Sequence, residues 1–169
     1  NCFTLSEAVD GAGKDYKSIF GIIIGTGFGG GLSYNKSIIE GSNQIAGDWG
    51  HQPLPYPTKD EQEIKISCPS NNCGRPLCAE QFMSGIGFKD RFNQKHDTNF
   101  TSEEIVKLDL ENDPRANLEL GLYEDRMARL MAVMIGIFDP DAIILGGGMS
   151  NIDRFYKNIP SLIPKYTFS

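Results

Sequence analysis

Ile19-Phe-Gly-Ile-Ile-Ile24, followed at once by Gly25-Thr-Gly-Phe-Gly-Gly-Gly31, is the stretch that decides the fold of this chain. The first segment is apolar except for one glycine, which is typical of a buried strand. A second strand is expected at residues 32–34, so the glycine-rich segment is predicted to be the turn between two strands. Strands that alternate with helices farther along the chain indicate an α/β fold.

The rest of the chain follows the same alternation, apart from a loop-rich region at residues 41–77. A loop of this length inside a compact domain is usually functional or held by a ligand. The other predicted elements are a helix at 2–10, a hairpin turn at Asn35-Lys36, one helix at 78–95, a helix at 102–108 capped by Ser102-Glu103-Glu104, a long helix opened by Asp113-Pro114, a buried strand at 142–145 and a helix that starts at 150–153.

Composition narrows the possible functions. The chain has 169 residues, a net charge of −6, 40% hydrophobic and 22% charged residues, which are ordinary values for a globular domain. The negative charge argues against a nucleic-acid partner, and no segment approaches the ~20 apolar residues of a membrane span. No signal peptide is visible, and we expect a cytoplasmic location, where cysteines stay reduced.

One histidine and three cysteines cluster within residues 47–80. They are His51, Cys68, Cys73 and Cys78, and together they can fill the four positions of a tetrahedral zinc site. A disulfide would leave one cysteine of the cluster over, so a metal is favoured. With four protein ligands the zinc has no open position for water, which predicts a structural rather than a catalytic metal.

Two acids accompany the predicted zinc ligands. Asp48 and Glu80 could accept hydrogen bonds from sugar hydroxyls, and His51 could do so through the ring nitrogen that does not bind the metal. Ordinary explanations exist for each acid: Asp48 suits a turn beside Gly47, and Glu80 suits the N-terminus of a helix. Trp49 is expected to pack the loop, although stacking on a sugar is an alternative.

Two glycine turns are candidates for binding a nucleotide. In the first, Gly25, Gly27, Gly29 and Gly30 could present backbone N–H groups to phosphates, and Thr26 adds a hydroxyl. The second, Gly146-Gly147-Gly148, follows a predicted strand, where ligands of α/β sheets bind. Both turns also have plain structural explanations, a hairpin for the first and tight strand–helix packing for the second.

Four of these segments together resemble the ROK family of sugar kinases and sugar-responsive repressors. They are the glycine turn within residues 24–32, Ile45-Ala-Gly-Asp-Trp-Gly-His51, the Cys73–Glu80 segment and Asp139-Pro-Asp-Ala-Ile-Ile-Leu-Gly-Gly-Gly-Met-Ser150. They occur in the family's order over nearly the whole chain. Residues 46–55 and 148–154 are most similar to the fructokinase branch, and N-acetylglucosamine kinases are the nearest competitor.

The resemblance implies a ribonuclease H-like (actin-like ATPase) fold of two lobes, with ATP and a hexose in the cleft between them. The similarity to the fructokinase branch predicts fructose as this hexose. Residues 1–169 then correspond to most of the C-terminal lobe, with a loop held by zinc. The match implies that Gly25 to Gly30 lie at the ATP phosphates, that Gly146 to Gly148 lie near the adenosine, and that Asp48, His51 and Glu80 hold sugar hydroxyls. It also implies magnesium as cofactor and a homodimer.

Asn1-Cys2 match the last two residues of the family's Asn-Asp-x-Asn-Cys motif. Asn1 is therefore expected at the sugar, and the catalytic aspartate two residues upstream of it. The N-terminal lobe and the final C-terminal segment are expected outside this chain, which alone should be inactive. The alternatives are an N-acetylglucosamine or glucose kinase of the same family, a sugar-sensing repressor, and a sugar-binding module without kinase activity.

The chain departs from the family pattern at three positions. Asp48 stands where glutamate is usual, which could alter the choice of sugar. Cys68 and Cys73 are separated by four residues rather than one, so Asn71 occupies the usual position of the first cysteine and Cys68 must reach the metal through a longer loop. Leu77 replaces a glycine before Cys78, which predicts an altered backbone there.

Overall fold

A four-stranded sheet forms the centre of the chain in a computed structural model that describes residues 1–64, 67–70 and 73–168. The strands are β1 (Ser18–Ile24), β2 (Phe28–Tyr34), β3 (Ser37–Ile38) and β4 (Ala142–Gly146), in the spatial order β3-β2-β1-β4. β1 pairs antiparallel with β2 and parallel with β4. The expected α/β architecture is thus confirmed, with β1 at its centre.

The hairpin between β1 and β2 is tighter than the sequence suggested. Ile24 pairs with Phe28, so the turn consists of residues 25–27 only, and Gly29 and Gly30 belong to β2. The prediction of a seven-residue turn was wrong. The strand pairing continues through Gly29, Gly30 and Gly31, because glycine can adopt the extended conformation of a strand. The second turn, at Asn35 and Lys36, is as expected: both residues have positive φ, of 50° and 60°.

Seven α-helices surround the sheet in the described part of the chain. They are α1 (Cys2–Val9), α2 (Lys59–Glu63), α3 (Ala79–Met83), α4 (Gly85–His96), α5 (Ser102–Leu110), α6 (Pro114–Phe138) and α7 (Asp153–Leu162). None of the described helices combines the length and apolarity needed to cross a membrane.

The two faces of the sheet are covered differently. α1 lies against one face so closely that a Cβ at Gly21 would overlap the Thr4 hydroxyl. On the other face, Phe20 and Ile22 of β1 join the main core with Tyr123 and Met127 of α6. The alternating directions of strand side chains account for this division, since Phe20 and Ile22 point opposite to Gly21.

The predicted helix at 78–95 is broken into α3 and α4. Ser84 is extended (φ −69°, ψ 155°), and its hydroxyl accepts a hydrogen bond from the Gly87 amide as the N-cap of α4. The Gly85 amide turns away from the helix and donates to the Gly25 carbonyl at 2.7 Å. The break therefore brings the start of α4 to the first glycine turn.

Two further helix starts differ from the prediction. Thr101, not Ser102, caps α5, and Glu104 completes a capping box with it. The Ser102 hydroxyl instead donates to the Gly85 carbonyl at 2.8 Å. α2 was not predicted, although Thr58 and Glu61 form a second capping box at its start.

Candidate functional site

The segment from Gly47 to Gly50 runs against β2 beyond the short pairing with β3. A Cβ at Gly50 would overlap the Phe28 carbonyl oxygen, and a Cβ at Gly47 would lie 2.8 Å from the Gly31 Cα. Gly47 also has a φ of +82°, which favours glycine. The backbone of this segment can therefore pack directly on the backbone of β2. This contact places Asp48 and His51 beside β2, the strand that follows the glycine turn.

The four predicted zinc ligands come together. The ligand atoms of His51, Cys68, Cys73 and Cys78 all lie within 4.8 Å of one another. The Cys78 sulfur lies 3.6 Å from the sulfurs of Cys68 and Cys73, while His51 Nδ1 lies 3.4 Å from Cys78 Sγ and 3.8 Å from Cys68 Sγ.

These separations fit a tetrahedral zinc site. Bonds of about 2.3 Å to sulfur and 2.0–2.1 Å to nitrogen hold neighbouring sulfurs about 3.8 Å apart, and sulfur and nitrogen about 3.6 Å apart. The four separations given above are within about 0.2 Å of these values, and the other two pairs, Cys73 with Cys68 and Cys73 with His51, lie within 4.8 Å. Cys68 thus lies among the candidate ligands despite its longer loop, whereas Asn71 lies outside the described residues.

The cluster holds its three cysteines as free thiols in different environments. Burial, with hydrogen bonds to Cys73 and Cys68, raises the pKa of the Cys78 thiol to about 12. A hydrogen bond from the Arg75 backbone amide lowers the pKa of Cys73. A cation that binds here must displace the Cys78 proton, as structural zinc does.

Leu77 keeps a backbone conformation that glycine would favour. Its φ is +53°, and its carbonyl accepts a hydrogen bond from the Leu54 amide at 2.7 Å. The side chain packs against the main core. We expected the replacement of glycine by Leu77 to alter the backbone. The structure instead keeps a positive φ here, and the packing of the leucine side chain accompanies this left-handed conformation.

Glu80 connects the cysteine cluster to the glycine turn. Its side chain is buried, and the residue is 6% exposed. Glu80 Oε1 accepts a hydrogen bond from the Ser70 hydroxyl at 2.6 Å, and Oε2 accepts one from the Phe28 amide at 3.3 Å. Its backbone amide donates to the Gly50 carbonyl at 2.7 Å. The carboxylate is thus fixed between the loop and the start of β2.

The other predicted sugar-binding residues lie around the same strand. Asp48 and Asn1 are exposed, and His51 is half-buried. The Asn1 side-chain oxygen would lie 2.9 Å from a Cβ at Gly31, the residue that Gly47 also approaches. The fold therefore gathers these predicted residues along β2.

Trp49 packs the loop rather than presenting a surface for stacking. It is 5% exposed, and its ring lies 4.7 Å from Phe20 and 5.0 Å from Phe28, measured between centroids. This confirms the packing interpretation of the only tryptophan in the chain. The aromatic cluster attaches the segment that carries Asp48 to the core.

A buried group of charges holds the far side of the loop. Arg129 donates to the carbonyls of Pro55 and Tyr56, at 2.9 and 2.8 Å, and to both oxygens of Glu61. Arg126 donates to Glu61 at 2.8 Å. Burial by itself raises the pKa of Glu61, but hydrogen bonds from Arg129, the Thr58 amide and Arg126 outweigh it and lower that pKa to about 2.

A cavity of about 710 Å³ lies on the other side of the glycine turn from Glu80. Its size is that of a small-molecule site. It joins the two glycine turns, which the sequence places far apart, with the starts of α4 and α5. The lining residues are Gly25, Thr26, Gly85, Ile86, Lys89, Thr101, Ser102, Glu103, Val106, Gly148, Met149, Asn151 and Ile152.

The cavity includes only part of the predicted nucleotide-binding set. Gly25, Thr26 and Gly148 line it; the remaining predicted residues, Gly27, Gly29, Gly30, Gly146 and Gly147, are not among its lining residues. Gly147 has a φ of +88°, and a Cβ there would overlap the Ile24 carbonyl oxygen. It supports the packing of β4 onto β1, while nucleotide contact by these five glycines stays a prediction.

Sequence reasoning missed the contribution of α4 and α5 to this cavity. Gly85, Ile86 and Lys89 were assigned to the middle of one long helix. The signal available was Ser84 followed by Gly85, a helix cap beside a poor helix former. Two helix N-termini, at Ser84 and Thr101, therefore border the cavity. Several of their amides are already paired, since Gly85 donates to the Gly25 carbonyl and Gly87 and Glu104 donate to the hydroxyls of the capping residues.

Residues 25–28, which are the three-residue turn and the first residue of β2, are called the turn at residues 25–28 below. This turn has two sides. Gly25 and Thr26 face the cavity, whereas a Cβ at Gly27 would lie 3.3 Å from Glu80 Oε2, to which the Phe28 amide donates. A ligand in the cavity and a ligand at Glu80 would be separated by the width of this turn.

Comparison with known proteins finds one family that matches the whole chain. The family model described as "ROK family" matches residues 1–169. The N-acetyl-D-glucosamine kinase of Yersinia pseudotuberculosis is 32% identical over 166 residues, which are 98% of this chain and 55% of that protein. The chain spans about half the length of such curated relatives.

Solved structures share the fold at lower identity. A ROK family glucokinase from Streptomyces griseus, in complex with glucose and AMPPNP, superposes with a TM-score of 0.80 at 21% identity, over 98% of this chain and 55% of that one. A ROK family transcriptional regulator, a homologue of the E. coli MLC protein, gives a TM-score of 0.76 at 21% identity, over 97% and 42%. The α/β fold is therefore that of the ROK sugar kinases.

Proposed function

This chain belongs to the ROK family, and on that premise we propose that it is most of the C-terminal lobe of an ATP-dependent sugar kinase. The observation that carries the proposal is the two-sided turn at residues 25–28. On one side lies a cavity of about 710 Å³ bordered by two helix N-termini, and on the other lies the buried carboxylate of Glu80. A phosphoryl donor and a polyol acceptor fit these two sides.

ATP occupies the cavity in this proposal. Its phosphates lie toward Gly25 and Thr26, where a backbone turn and a hydroxyl can donate, and its nucleoside lies toward Gly148. The start of α4 adds favourable potential for negative charge, whereas Glu103 in the first turn of α5 offsets that effect at the other helix start. Magnesium bound with ATP would offset the negative charge that develops on the phosphates during transfer.

The sugar lies against Glu80, with Asp48, His51 and Asn1 around it. Each carboxylate accepts hydrogen bonds from hydroxyl groups, and Glu80 cannot move freely because Ser70 and Phe28 hold it. The general base is the aspartate that the family motif places two residues upstream of Asn1. It takes the proton of the attacking hydroxyl while the γ-phosphoryl group is transferred.

A structural zinc holds the loop that carries this sugar site. His51 Nδ1 and the sulfurs of Cys68, Cys73 and Cys78 are its ligands, which fits the tetrahedral separations described above. His51 then keeps Nε2 for the sugar. Zinc supplies rigidity and takes no part in the phosphoryl transfer.

N-acetylglucosamine replaces fructose as the first sugar to test. The curated relative named above is an N-acetyl-D-glucosamine kinase at 32% identity, and none of the proteins named above is a fructokinase. Glucose is the next candidate, because the same fold holds glucose in the Streptomyces glucokinase. The homodimer and the cytoplasmic location remain predictions.

The test is a coupled assay of ADP release by the whole protein with MgATP. We expect turnover with at least one hexose of a panel of N-acetylglucosamine, glucose and fructose, and the highest kcat/KM with N-acetylglucosamine. No turnover with any hexose contradicts the kinase. Sugar binding without turnover would favour a sugar-sensing regulator, a function suggested by the shared fold of the ROK transcriptional regulator.

A further inference from the structure

Among the described residues, Ser70 makes the shortest hydrogen bond to the proposed sugar carboxylate, Glu80. Its hydroxyl donates to Glu80 Oε1 at 2.6 Å, a length typical of a strong hydrogen bond from a hydroxyl to an ionised carboxylate. Ser70 is half-buried, and Glu80 is buried, with 6% of its surface exposed. A bond of this kind restricts both the position and the rotation of the carboxylate.

The two oxygens of Glu80 are held by two different segments of the chain. Oε2 accepts from the Phe28 amide of β2 at 3.3 Å, while Oε1 accepts from Ser70 in the cysteine loop. A carboxylate has about four acceptor positions, so about two remain for sugar hydroxyls. Because both oxygens are anchored, the directions of these two positions are fixed.

Ser70 also belongs to the segment that closes the metal cluster. Cys68, two residues earlier, has its sulfur 3.7 Å from the same Glu80 oxygen and 3.6 Å from Cys78 Sγ. The Ser70 hydroxyl, at 2.6 Å, lies closer to Glu80 Oε1 than this sulfur does, and a hydroxyl is a stronger hydrogen-bond donor than a thiol.

We infer that Ser70 is a positioning residue that transmits the order of the metal cluster to the sugar-binding carboxylate. The inference rests on the proposed function. Ser70 lies within the four-residue spacing between Cys68 and Cys73, where the chain departs from the family pattern. The longer loop places a hydroxyl on Glu80, and this hydroxyl sets how tightly a sugar is held.

Ser70→Ala removes the donor and leaves the loop otherwise intact. In the whole protein we expect sugar affinity and KM for the sugar to worsen by about tenfold, the effect of one hydrogen bond to a charged group. KM for ATP should change less than twofold, because the cavity lies across the turn. Ser70→Thr retains the hydroxyl and should restore sugar affinity to within about threefold.

The experiment measures N-acetylglucosamine, glucose and fructose binding by calorimetry, together with both KM values, zinc content and Tm. Ser161→Ala is the matched control, since Ser161 on α7 is exposed, donates to the Asn158 carbonyl at 2.7 Å, and belongs neither to the cavity lining nor to the cysteine cluster. This control should behave as wild type in every measurement.

Removal of zinc with a chelator provides a second, independent readout. If the metal acts through Ser70, zinc removal should weaken sugar binding more in wild type than in Ser70→Ala, because the two changes break the same connection. Equal losses in both proteins would overturn the transmission through Ser70.

The remaining outcomes separate this inference from the proposed function. Wild-type sugar affinity in Ser70→Ala overturns the inference and leaves the kinase intact, as does failure of Ser70→Thr to restore binding. A Ser70→Ala protein that loses zinc and Tm in proportion to affinity shows a merely structural role. A wild-type protein that binds none of the sugars refutes the proposed function itself.

Discussion

Glu61 illustrates, at the scale of single residues, how charge is kept inside this chain. The residue is 3% exposed, and its carboxylate lies 2.7 Å from Arg129 Nη2 and 2.8 Å from Arg126 Nε. Removing one partner of such a buried group leaves the other charges without compensation. The arginines in turn hold the carbonyls of Pro55 and Tyr56, so this carboxylate supports the loop that leads to the cysteine cluster.

Glu61→Gln should therefore destabilise the chain at neutral pH by about 3–5 kcal/mol. The folded pKa of Glu61, about 2, lies below its ordinary value of 4.5. Its contribution to stability is fully present above pH 4.5 and is lost as the pH falls toward 2. The difference in unfolding free energy between wild type and variant, measured by denaturant titration, should shrink over that range.

Glu63→Gln is the control for this prediction. Glu63 follows two residues later on α2 but is exposed, so its substitution should change stability by less than about 0.5 kcal/mol at any pH. A Glu61→Gln deficit that stays constant from pH 7 to pH 3 would show that the carboxylate charge is not what stabilises the loop.

Residues with strong local chemistry could be predicted from the sequence, and residues defined by distant partners could not. His51 and the three cysteines were found because few residue types bind zinc and their spacing is compact. The bond from Ser70 to Glu80 and the pairing of Glu61 with Arg126 escaped prediction, since serine, glutamate and arginine are common and their partners are set by the fold.

At the scale of elements, the approach of the Gly47–Gly50 segment to β2 is the critical packing contact. Gly50 and Gly29 make a contrasting pair: a Cβ at Gly50 would overlap the Phe28 carbonyl oxygen, whereas a Cβ at Gly29 would have no neighbour within 4 Å. Only the first glycine is required by close packing.

Gly50→Ala should displace the segment from β2, lower Tm by several degrees and weaken both zinc retention and sugar affinity, because a Cβ forces backbone apart. Gly29→Ala should retain the Tm of wild type. The check is a thermal melt with zinc analysis of both variants. Equal Tm values for the two would contradict the close contact between loop and strand.

Elements were predictable where the pattern was long or locally capped. The apolar run of β1 and the Asp113-Pro114 start of α6 were correct for these reasons. The single helix at 78–95 was wrong because the helical pattern on both sides of Ser84 hides a break made by tertiary contact with Gly25. The glycine turn is shorter than predicted. The hydrogen-bonded pairing of β1 with β2 includes Gly29 to Gly31, and glycines suit turns and extended strands alike.

At the scale of the whole molecule, the turn at residues 25–28 is the boundary between two proposed binding sites. Thr26 lies at the cavity, and Glu80 lies behind Gly27 and Phe28. If the turn separates nucleotide from sugar, a change on one side should affect one substrate and leave the affinity for the other nearly unchanged.

The most direct test is a crossed measurement of KM in the whole protein for Thr26→Ala and Glu80→Gln. Thr26→Ala should raise KM for ATP by about tenfold with little change for the sugar, because one hydroxyl donor is lost. Glu80→Gln should raise KM for the sugar by roughly 10- to 100-fold and leave KM for ATP within about twofold. If both variants raised KM for the same substrate, or if Glu80→Gln left sugar KM unchanged, the assignment of the two sides would be wrong.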